Sequence, residues 1–375
     1  MKLLHVIGSY DIKAGGTYTA LTSLVNMFEK LGHTNTIIAT GCNHLNDTIP
    51  NVDLICFDRS FPKKFRKSKK AKQWLQQNIL SYDAVVVHEI WGGIGLDACL
   101  LAMKNKVKYY IWPHGSLDPF DLQKKKYLKK ALGKFFVNKI LKNAHYICCT
   151  SEKEKQLINC FGGSNKNIIS LPLPVDFCLE EKVVNPSPSL ITPGLPENAF
   201  AFLFFSRINY KKGLDLFLRG FAECLSEKII TNNCYLLIAG TGTPEYESYI
   251  DGIITELQLQ AHIVKLGLVS GNAKHTVYEN AHVFILPSLN ENFGLSVVES
   301  LQSGTPVLIS DNIYIHEELF ADVSPGWICQ YEVNNLKTKI VEATNVQLKH
   351  QLHAKKAGQK FTTSNLLSVY KEVFN

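Results

Sequence analysis

The sequence predicts two α/β lobes, each a parallel sheet flanked by crossover helices, and three observations predict it. Short apolar runs alternate with helical periodicity along nearly all of the 375 residues, as repeated β-α-β units require. The stretch 171–198 holds Pro172, Pro174, Pro186, Pro188, Pro193 and Pro196, a stiff linker between two similar halves. Apolar runs also end in short turns that lead straight into helical patterns, which places loops at the carboxyl edge of a sheet.

In the first half, strand-length apolar runs fall at 3–7, 36–40, 54–57, 84–88, 109–112 and 146–150. Helical periodicity fills 17–31, 69–79 and 128–141. In the second half, strands are expected at 200–206, 235–239, 263–266, 283–286 and 307–310. Helices are expected near 214–225, 246–257, 274–279 and 295–303. The expected division is a first domain over 1–175, a linker over 176–198, a second domain over 199–360 and a C-terminal helical segment over 361–375. That last helix is free to pack on either lobe.

A hydrophobic content of 46% suffices for sizeable cores in two to three domains. No apolar stretch approaches the roughly 20 residues that span a bilayer. The opening run from Met1 to Ile7 is too short for a secretory signal and reads as the first buried strand. The ten cysteines, among them Cys56, Cys99, Cys148, Cys149 and Cys224, lie mostly in apolar runs with no CxxC pair. Free buried thiols in a reducing cytoplasm are expected, rather than a disulfide framework or a zinc site.

The net charge of +7 is unevenly placed. Residues 1–190 carry 26 Lys and Arg against 15 Asp and Glu, a net of +11, and residues 191–375 a net of −4. Two acid-free clusters hold the excess: Lys63, Lys64, Arg66, Lys67, Lys69, Lys70 and Lys72, then Lys124, Lys125, Lys126, Lys129, Lys130 and Lys134. Such clusters attract anionic lipid or phosphate, at about 1 kcal/mol per cation near a charged membrane. The second is interleaved with Tyr127, Leu128, Leu132, Phe135, Phe136 and Ile140, giving an amphipathic helix suited to lying on a membrane. A solvated helix packed on its own domain is the alternative. Neither cluster forms a nucleic-acid recognition module.

The most informative stretch is Glu291-Asn292-Phe293-Gly294-Leu295-Ser296-Val297-Val298-Glu299, after an apolar run and Pro287-Ser288. It reads as strand, tight turn and helix, whose free amides and dipole favour an anion such as phosphate. Glu291 precedes the helix and Glu299 sits about a turn inside it. Two acids at different depths suit a polyhydroxylated ligand with a phosphate between its ends; an acidic helix start with a solvated second Glu is the alternative.

Four further features fall at strand ends. Gly15 and Gly16 open the first helix and let backbone approach a phosphate or sugar, although an ordinary turn has the same form. Arg207 and Lys212, in Ser206-Arg207-Ile208-Asn209-Tyr210-Lys211-Lys212-Gly213, offer a planar fork and a point charge to a diphosphate, or a surface ion pair. No Asp-x-Asp or His cluster offers metal ligands, so two cations in place of a metal are chemically reasonable. His114, in Trp112-Pro113-His114-Gly115, can meet a ligand and donate to developing charge, or be structural. His88 and Glu89 make a similar, weaker case for acceptor contact. The Leu266-Gly267 turn could receive a base against backbone groups.

In order and spacing these pieces resemble the glycosyltransferase family 4 pattern: a Gly-Gly loop, Gly32-His33, an Arg-x4-Lys-Gly element, a Leu-Gly turn, and Pro-Ser-x-x-Glu-x-Phe-Gly ending in Glu. The likeness covers nearly the whole chain and most resembles a bacterial polysaccharide-assembly subgroup. It implies a GT-B fold, two Rossmann-like doubly wound parallel-sheet domains facing across a cleft, and a retaining, metal-independent transferase. By the same likeness Arg207 and Lys212 hold the diphosphate of a nucleotide sugar, Glu299 the ribose hydroxyls and Glu291 those of the transferred hexose. The amides of Asn292, Phe293, Gly294 and Leu295 serve sugar and phosphate. His114 stands beside the anomeric centre, and Gly15 and Gly16 form the loop over the donor. Ser206 stands where the family has Gly, and Leu173-Pro174-Val175-Asp176 where it often has Asn-Gly-Val-Asp.

The expected activity is hexosyl transfer from a UDP-sugar, UDP-glucose first, to a sugar hydroxyl of a growing, lipid-linked cell-envelope or exopolysaccharide glycan. No cofactor or metal is called for, and the place is the cytoplasm or the inner membrane face. An epimerase of the same fold and a non-catalytic nucleotide-sugar-binding protein are the alternatives. A Rossmann dehydrogenase is disfavoured, because no glycine fingerprint with a following acid appears near the first strand.

Overall fold

The computed structural model of the chain describes residues 1–11, 15–42, 49–124, 126–162, 167–177, 195–196 and 198–374. The chain forms two compact units, Met1–Pro174 with Leu366–Asn375, and Val175–Asn365. Of the expected linker 176–198, residues 178–194 and 197 lie outside the described residues, as do Lys13 and Ala14 of the first glycine loop.

The first unit is built on β1 (Lys2–Ile7), β2 (Thr34–Thr40), β3 (Asp53–Phe57), β4 (Ala84–His88), β5 (Lys108–Trp112), β6 (Tyr146–Cys149) and β7 (Ile168–Ser170). All pairings are parallel, in the order β3-β2-β1-β4-β5-β6-β7. The continuous apolar run Ala84-Val85-Val86-Val87 is buried on both faces, as a central parallel strand must be. Its helices are α1 (Gly16–Lys30), α2 (Lys69–Asn78), α3 (Gly93–Asn105), α4 (Pro119–Gln123), α5 (Lys126–Leu132), α6 (Asn138–Asn143) and α7 (Glu152–Gly162). Where the sequence suggests one helix over 128–141, a π-turn at Gly133–Val137 separates α5 from α6. Helix α3 is absent from the sequence reading because residues such as Ile94, Gly95, Ala98, Cys99 and Ala102 are all buried, which blurs the helical period.

The second unit repeats the plan with β8 (Phe200–Phe205), β9 (Cys234–Ala239), β10 (Ile263–Gly267), β11 (Val283–Leu286), β12 (Val307–Ser310) and β13 (Gly326–Cys329). Its parallel order is β10-β9-β8-β11-β12-β13. Its helices are α8 (Leu214–Ser226), α9 (Pro244–Glu256), α10 (Ala273–Glu279), α11 (Leu295–Ser303), α12 (His316–Phe320), α13 (Val333–Ala343), α14 (Leu348–Gln359) and α15 (Thr363–Phe374). Phe202 of β8 packs edge-on against Phe217 and Phe221 of α8, the aromatic part of the core. Strand β7 has only three residues, and β13, opened by Gly326, is a half-buried edge strand, so neither carries a continuous apolar run.

Both sheets reverse direction once, between β1 and β4 and between β8 and β11, the doubly wound order whose ligands bind at the carboxyl ends of those strands. From Leu366 on, α15 belongs to the first unit. There Phe374 is fully buried, with ring centroids 4.7 Å from Phe28 and 4.4 Å from Tyr110, while the Tyr370 hydroxyl donates to the Pro172 carbonyl at 2.9 Å. Truncating such a Phe to Ala costs about 3–5 kcal/mol.

One cysteine reading is corrected. Cys56 is not a free thiol but is bonded to Cys42, with a Cα–Cα distance of 6.1 Å. Parallel pairing sets Thr40 against Phe57, so chain leaving β2 returns beside β3; linear spacing carries no trace of this. Cys99, Cys148, Cys149, Cys224, Cys234 and Cys329 are free and buried.

Candidate active site

In the second unit the chain leaves β8 through Ser206-Arg207-Ile208 and stays paired to the end of β9: Ser206 N–H donates to Ala239 O at 3.1 Å and Ile208 N–H to Thr241 O at 2.9 Å. Arg207 is held on this extension with its side chain exposed. A 3-10 turn, Tyr210–Lys212, follows, opened by Asn209, whose side chain accepts from Lys211 N–H at 3.1 Å. Gly213 then starts α8 at φ 68°, and a Cβ there would lie 2.0 Å from the Pro287 carbonyl oxygen. No other residue lets this turn come so close to the loop after β11.

That loop is zipped to the first. Leu289 N–H donates to Lys211 O at 2.8 Å, and Lys212 Nζ is paired with Glu291. Their side chains are 15% and 21% exposed, so solvent screens the attraction less than in a surface pair, while losing either partner would strand a half-buried charge. Glu291 is fixed from its other side by a one-residue bridge to Ile313: Glu291 N–H donates to Asn312 O, and the Glu291 carbonyl oxygen accepts from Tyr314 N–H. Lys212 is therefore not a free cation: sequence order hides that its neighbour is the acid 79 residues on.

From Glu291 the chain runs through Asn292 and buried Phe293 to Gly294, in the left-handed region at φ 77°, and α11 begins at Leu295. The first-turn amides of α11 point to the carboxyl edge of the sheet, where an anion is favoured. Glu299, buried inside α11, receives Lys274 Nζ at 2.6 Å and the Tyr278 hydroxyl at 2.9 Å. Burial first, and then the Glu299 charge, push the Tyr278 phenol well above its ordinary range, so it stays a donor. Each carboxylate oxygen keeps a further lone pair for a ligand hydroxyl. Lys274 and Tyr278 are absent from the sequence reading, and their one signal is i, i+4 placement on a single face of α10. Gly267 ends β10 at φ 64° and lines a small pocket of about 90 Å³ with Ile208, Gly240, Thr241, Ile250 and Lys265.

In the first unit, the β1/β4 reversal carries Gly8 and Glu89. Glu89 pairs with Arg66, and burial pushes its carboxyl up although the guanidinium opposes the shift. Arg59 donates to Gly8 O and Thr40 O, both at 2.9 Å. Gly15 precedes α1 at φ 69°, ψ −130°, a conformation open to glycine, and Gly16 is exposed. His114 follows β5 at φ 50°, an uncommon conformation for a side-chain-bearing residue. Its turn is braced by buried Glu154, which accepts from Gly115 N–H at 2.7 Å, Thr150 N–H at 2.7 Å and the Thr150 hydroxyl at 3.0 Å. Burial lowers the His114 pKa to about 4, so the ring is neutral near pH 7.

The expectation of acceptor contact by His88 is corrected: His88 is 1% exposed and lies between the rings of His5 and His114, while Glu89 is the accessible member of that pair. Glu89 itself stands at φ 85°, an uncommon conformation for a side-chain-bearing residue.

The reversal of the second sheet thus gathers Arg207, Lys212, Glu291 and the start of α11 at the edge where doubly wound sheets bind their ligands. Residues 14–177 match the family described as Glycosyltransferase Family 4, and residues 192–361 that described as Glycosyl transferases group 1. The chain belongs to these glycosyltransferases. It is 25% identical over 350 residues to the alpha-monoglucosyldiacylglycerol synthase of Streptococcus pneumoniae, covering 89% of this chain and 76% of that protein. It is 29% identical over 135 residues to an uncharacterized glycosyltransferase of Methanocaldococcus jannaschii, covering 36% of this chain and only 33% of that protein. Its fold is GT-B. The Anabaena HepE protein in complex with UDP and glucose superposes with a TM-score of 0.80 at 17% identity, over 99% of this chain and 98% of that one. WaaG, a glycosyltransferase involved in lipopolysaccharide biosynthesis, superposes at 0.73 and 14% identity, over 100% and 99%.

Proposed function

We propose that this glycosyltransferase is a retaining, metal-independent enzyme that moves a hexosyl group from a UDP-sugar, UDP-glucose first, to a sugar hydroxyl of a lipid-linked glycan. The observation that carries this reading is the pair of interlocked loops at the β8/β11 reversal, which gather Arg207, Lys212, Glu291 and the start of α11. In this reading Arg207 and Lys212 take the diphosphate, and the amides of Asn292, Phe293, Gly294 and Leu295 its remaining charge. Glu299 takes ribose hydroxyls, Glu291 hexose hydroxyls, and the pocket by Gly267 the base. Gly15 and Gly16 supply backbone to the donor, and His114 meets the transferred hexosyl group.

The chemistry follows from charge. The bond from C1 to the pyrophosphate oxygen breaks, the acceptor oxygen bonds to C1 on the same face, and the departing phosphate takes the acceptor proton, leaving UDP and a glycoside. The two cations stabilise the charge that grows on the leaving group, an effect often worth several kcal/mol. Glu291, held by Lys212 and hydrogen-bonded backbone, is better placed to grip hydroxyls than to attack.

UDP as the nucleotide is supported by the UDP complexes of the HepE structure, and glucose and a lipid acceptor by the name of the Streptococcus relative. An α-glucoside made from an α-linked donor is retention. An inner-face membrane position is supported by exposed Tyr127, Phe135 and Phe136 beside Lys126 and Lys130, and by Phe61 beside Lys63 and Lys64. Among the described residues no helix is long and apolar enough to cross a membrane.

The test is a panel of UDP-glucose, UDP-galactose, UDP-N-acetylglucosamine and GDP-mannose, followed for binding and slow hydrolysis with and without EDTA. UDP-glucose is expected to bind and turn over in both conditions. A GDP-sugar preference overturns the donor assignment, and loss of activity with EDTA overturns metal independence.

A further inference from the structure

Three imidazoles and a carboxamide form one hydrogen-bonded row across four neighbouring strands of the first unit. Asn35 lies on β2, His5 on β1, His88 at the end of β4 and His114 just past β5. The contacts are Asn35 Oδ1 to His5 Nε2 at 3.0 Å, His5 Nδ1 to His88 Nε2 at 3.1 Å, and His88 Nδ1 to His114 Nε2 at 3.2 Å. Asn35, His5 and His88 are buried, and His114 is the partly exposed end. The parallel register builds the row, setting Ile7 beside His88 while His5 stands two residues deeper on the same strand face.

A neutral imidazole carries one N–H and one bare nitrogen, so such a row has two consistent orientations. Asn35 chooses between them. Its Nδ2 lies 3.4 Å from the His33 carbonyl oxygen, which can only accept. Turning the amide over would set two acceptor oxygens against each other. Oδ1 therefore faces His5, and His5 must carry its proton on Nε2. His5 then accepts at Nδ1 from His88 Nε2–H, and His88 accepts at Nδ1 from His114 Nε2–H. The nitrogen left over is His114 Nδ1, bare and without a hydrogen-bond partner among the described residues. Neutrality is enforced throughout: burial lowers His5 and His114 to about 4 and His88 well below its ordinary value, where the two neighbouring rings act in the same direction.

We propose that Asn35, His5 and His88 are positioning residues that lock His114 in the Nε2–H tautomer, so that it offers bare Nδ1 as an acceptor to a hydroxyl of the sugar ligand. The ligand's identity rests on the transferase reading above; the tautomer does not. The assignment reverses the role expected from sequence, in which His114 donates to developing charge. It also sets specificity. A bare nitrogen accepts from a hydroxyl but repels a carboxylate or phosphate oxygen, so an uncharged hexosyl group is preferred over a uronosyl or phosphorylated one.

The experiment is long-range 1H–15N NMR on the full chain labelled with 15N-histidine, with His114 assigned by its absence in His114→Ala. At pH 7 the wild type is expected to show His114 protonated on Nε2 and bare on Nδ1. His88→Gln, whose amide can donate to His5 and accept from His114, should keep that state; His88→Leu should give a mixture of tautomers. In kinetics, kcat/KM for the preferred donor should fall about 10-fold in His88→Leu, the order of one hydrogen bond. It should recover to within about 3-fold in His88→Gln, and the wild type should discriminate against the matching UDP-uronate. A proton on His114 Nδ1 in the wild type, or an unchanged tautomer in His88→Leu, overturns the proposal. The expected tautomers in a protein that turns over no nucleotide sugar uphold the row and remove the transferase reading instead.

Discussion

The two sheets share one strand order, yet the chemistry at their reversal points is opposite in kind. At β8/β11 the side chains are charged and paired, Lys212 with Glu291 and Lys274 with Glu299. At β1/β4 the working groups are neutral imidazoles aligned by hydrogen bonds, His5 to His88 and on to His114 past β5, with charge confined to Arg66 and Glu89 nearby. In the function proposed above, similar backbones serve unequal tasks. Gripping a dianionic pyrophosphate calls for cations whose partners can be exchanged for phosphate oxygens. Orienting an uncharged sugar calls for a group whose donor and acceptor faces are fixed in advance.

The largest expected effect breaks the charged side. Arg207→Ala should lower kcat by at least ~100-fold, since the developing leaving-group charge loses its bidentate partner. The measurement is nucleotide release at saturating donor, and near-normal turnover would remove the diphosphate role.

A second prediction probes the neutral side through pH. The His5, His88 and His114 rings have folded pKa values depressed by burial, about 4 for His5 and His114, against roughly 6.5 unfolded. Below pH 6.5 the unfolded chain takes protons that the folded chain refuses. The stabilisation is thus complete above about pH 6.5 and is lost as pH falls towards 4. Each ring contributes a slope of up to ~1.4 kcal/mol per pH unit. Unfolding of the first unit, followed by Trp74, Trp91 and Trp112 fluorescence, should weaken from pH 7 to 5, and His88→Gln should flatten the slope by one ring. An equal slope in His88→Gln would show that the His88 ring does not contribute to it.

The smallest effect concerns the surface. Phe135→Glu with Phe136→Glu should weaken sedimentation with vesicles containing anionic lipid several-fold, each change removing apolar insertion and adding repulsion. Slow hydrolysis of the donor should be untouched. Unaltered vesicle binding would assign the exposed face of α5 and the following π-turn to something other than a membrane.

Much of the architecture was legible because parallel strands buried on both faces must be written as continuous apolar runs. Strands β4, β8, β9, β11 and β12 are such runs, and they fall where the sequence places them. Elements without their own signature were not legible: α3 is buried nearly all round, β7 has only three residues, and β13, Gly-Trp-Ile-Cys, is a half-buried edge strand rather than a continuous apolar run. Candidate site residues were visible where they cluster locally, from Ser206 to Gly213 and from Glu291 to Glu299. Lys274, Tyr278, Glu154, Asn35 and His5 were not, because each acts on a partner at least 21 residues away or, for Lys274, 25 residues away.

By itself, then, the sequence determined the two α/β units, the glycine turns and the residue types at their edges, since period, composition and turn chemistry are local properties. Pairing was decided only by tertiary structure. Which acid neutralises Lys212, which cysteine meets Cys56, and which nitrogen of His114 holds the proton depend on strand order. Neighbours in a doubly wound sheet lie tens of residues apart along the chain, and a hydrogen bond or ion pair responds to ångströms, not to spacing in sequence.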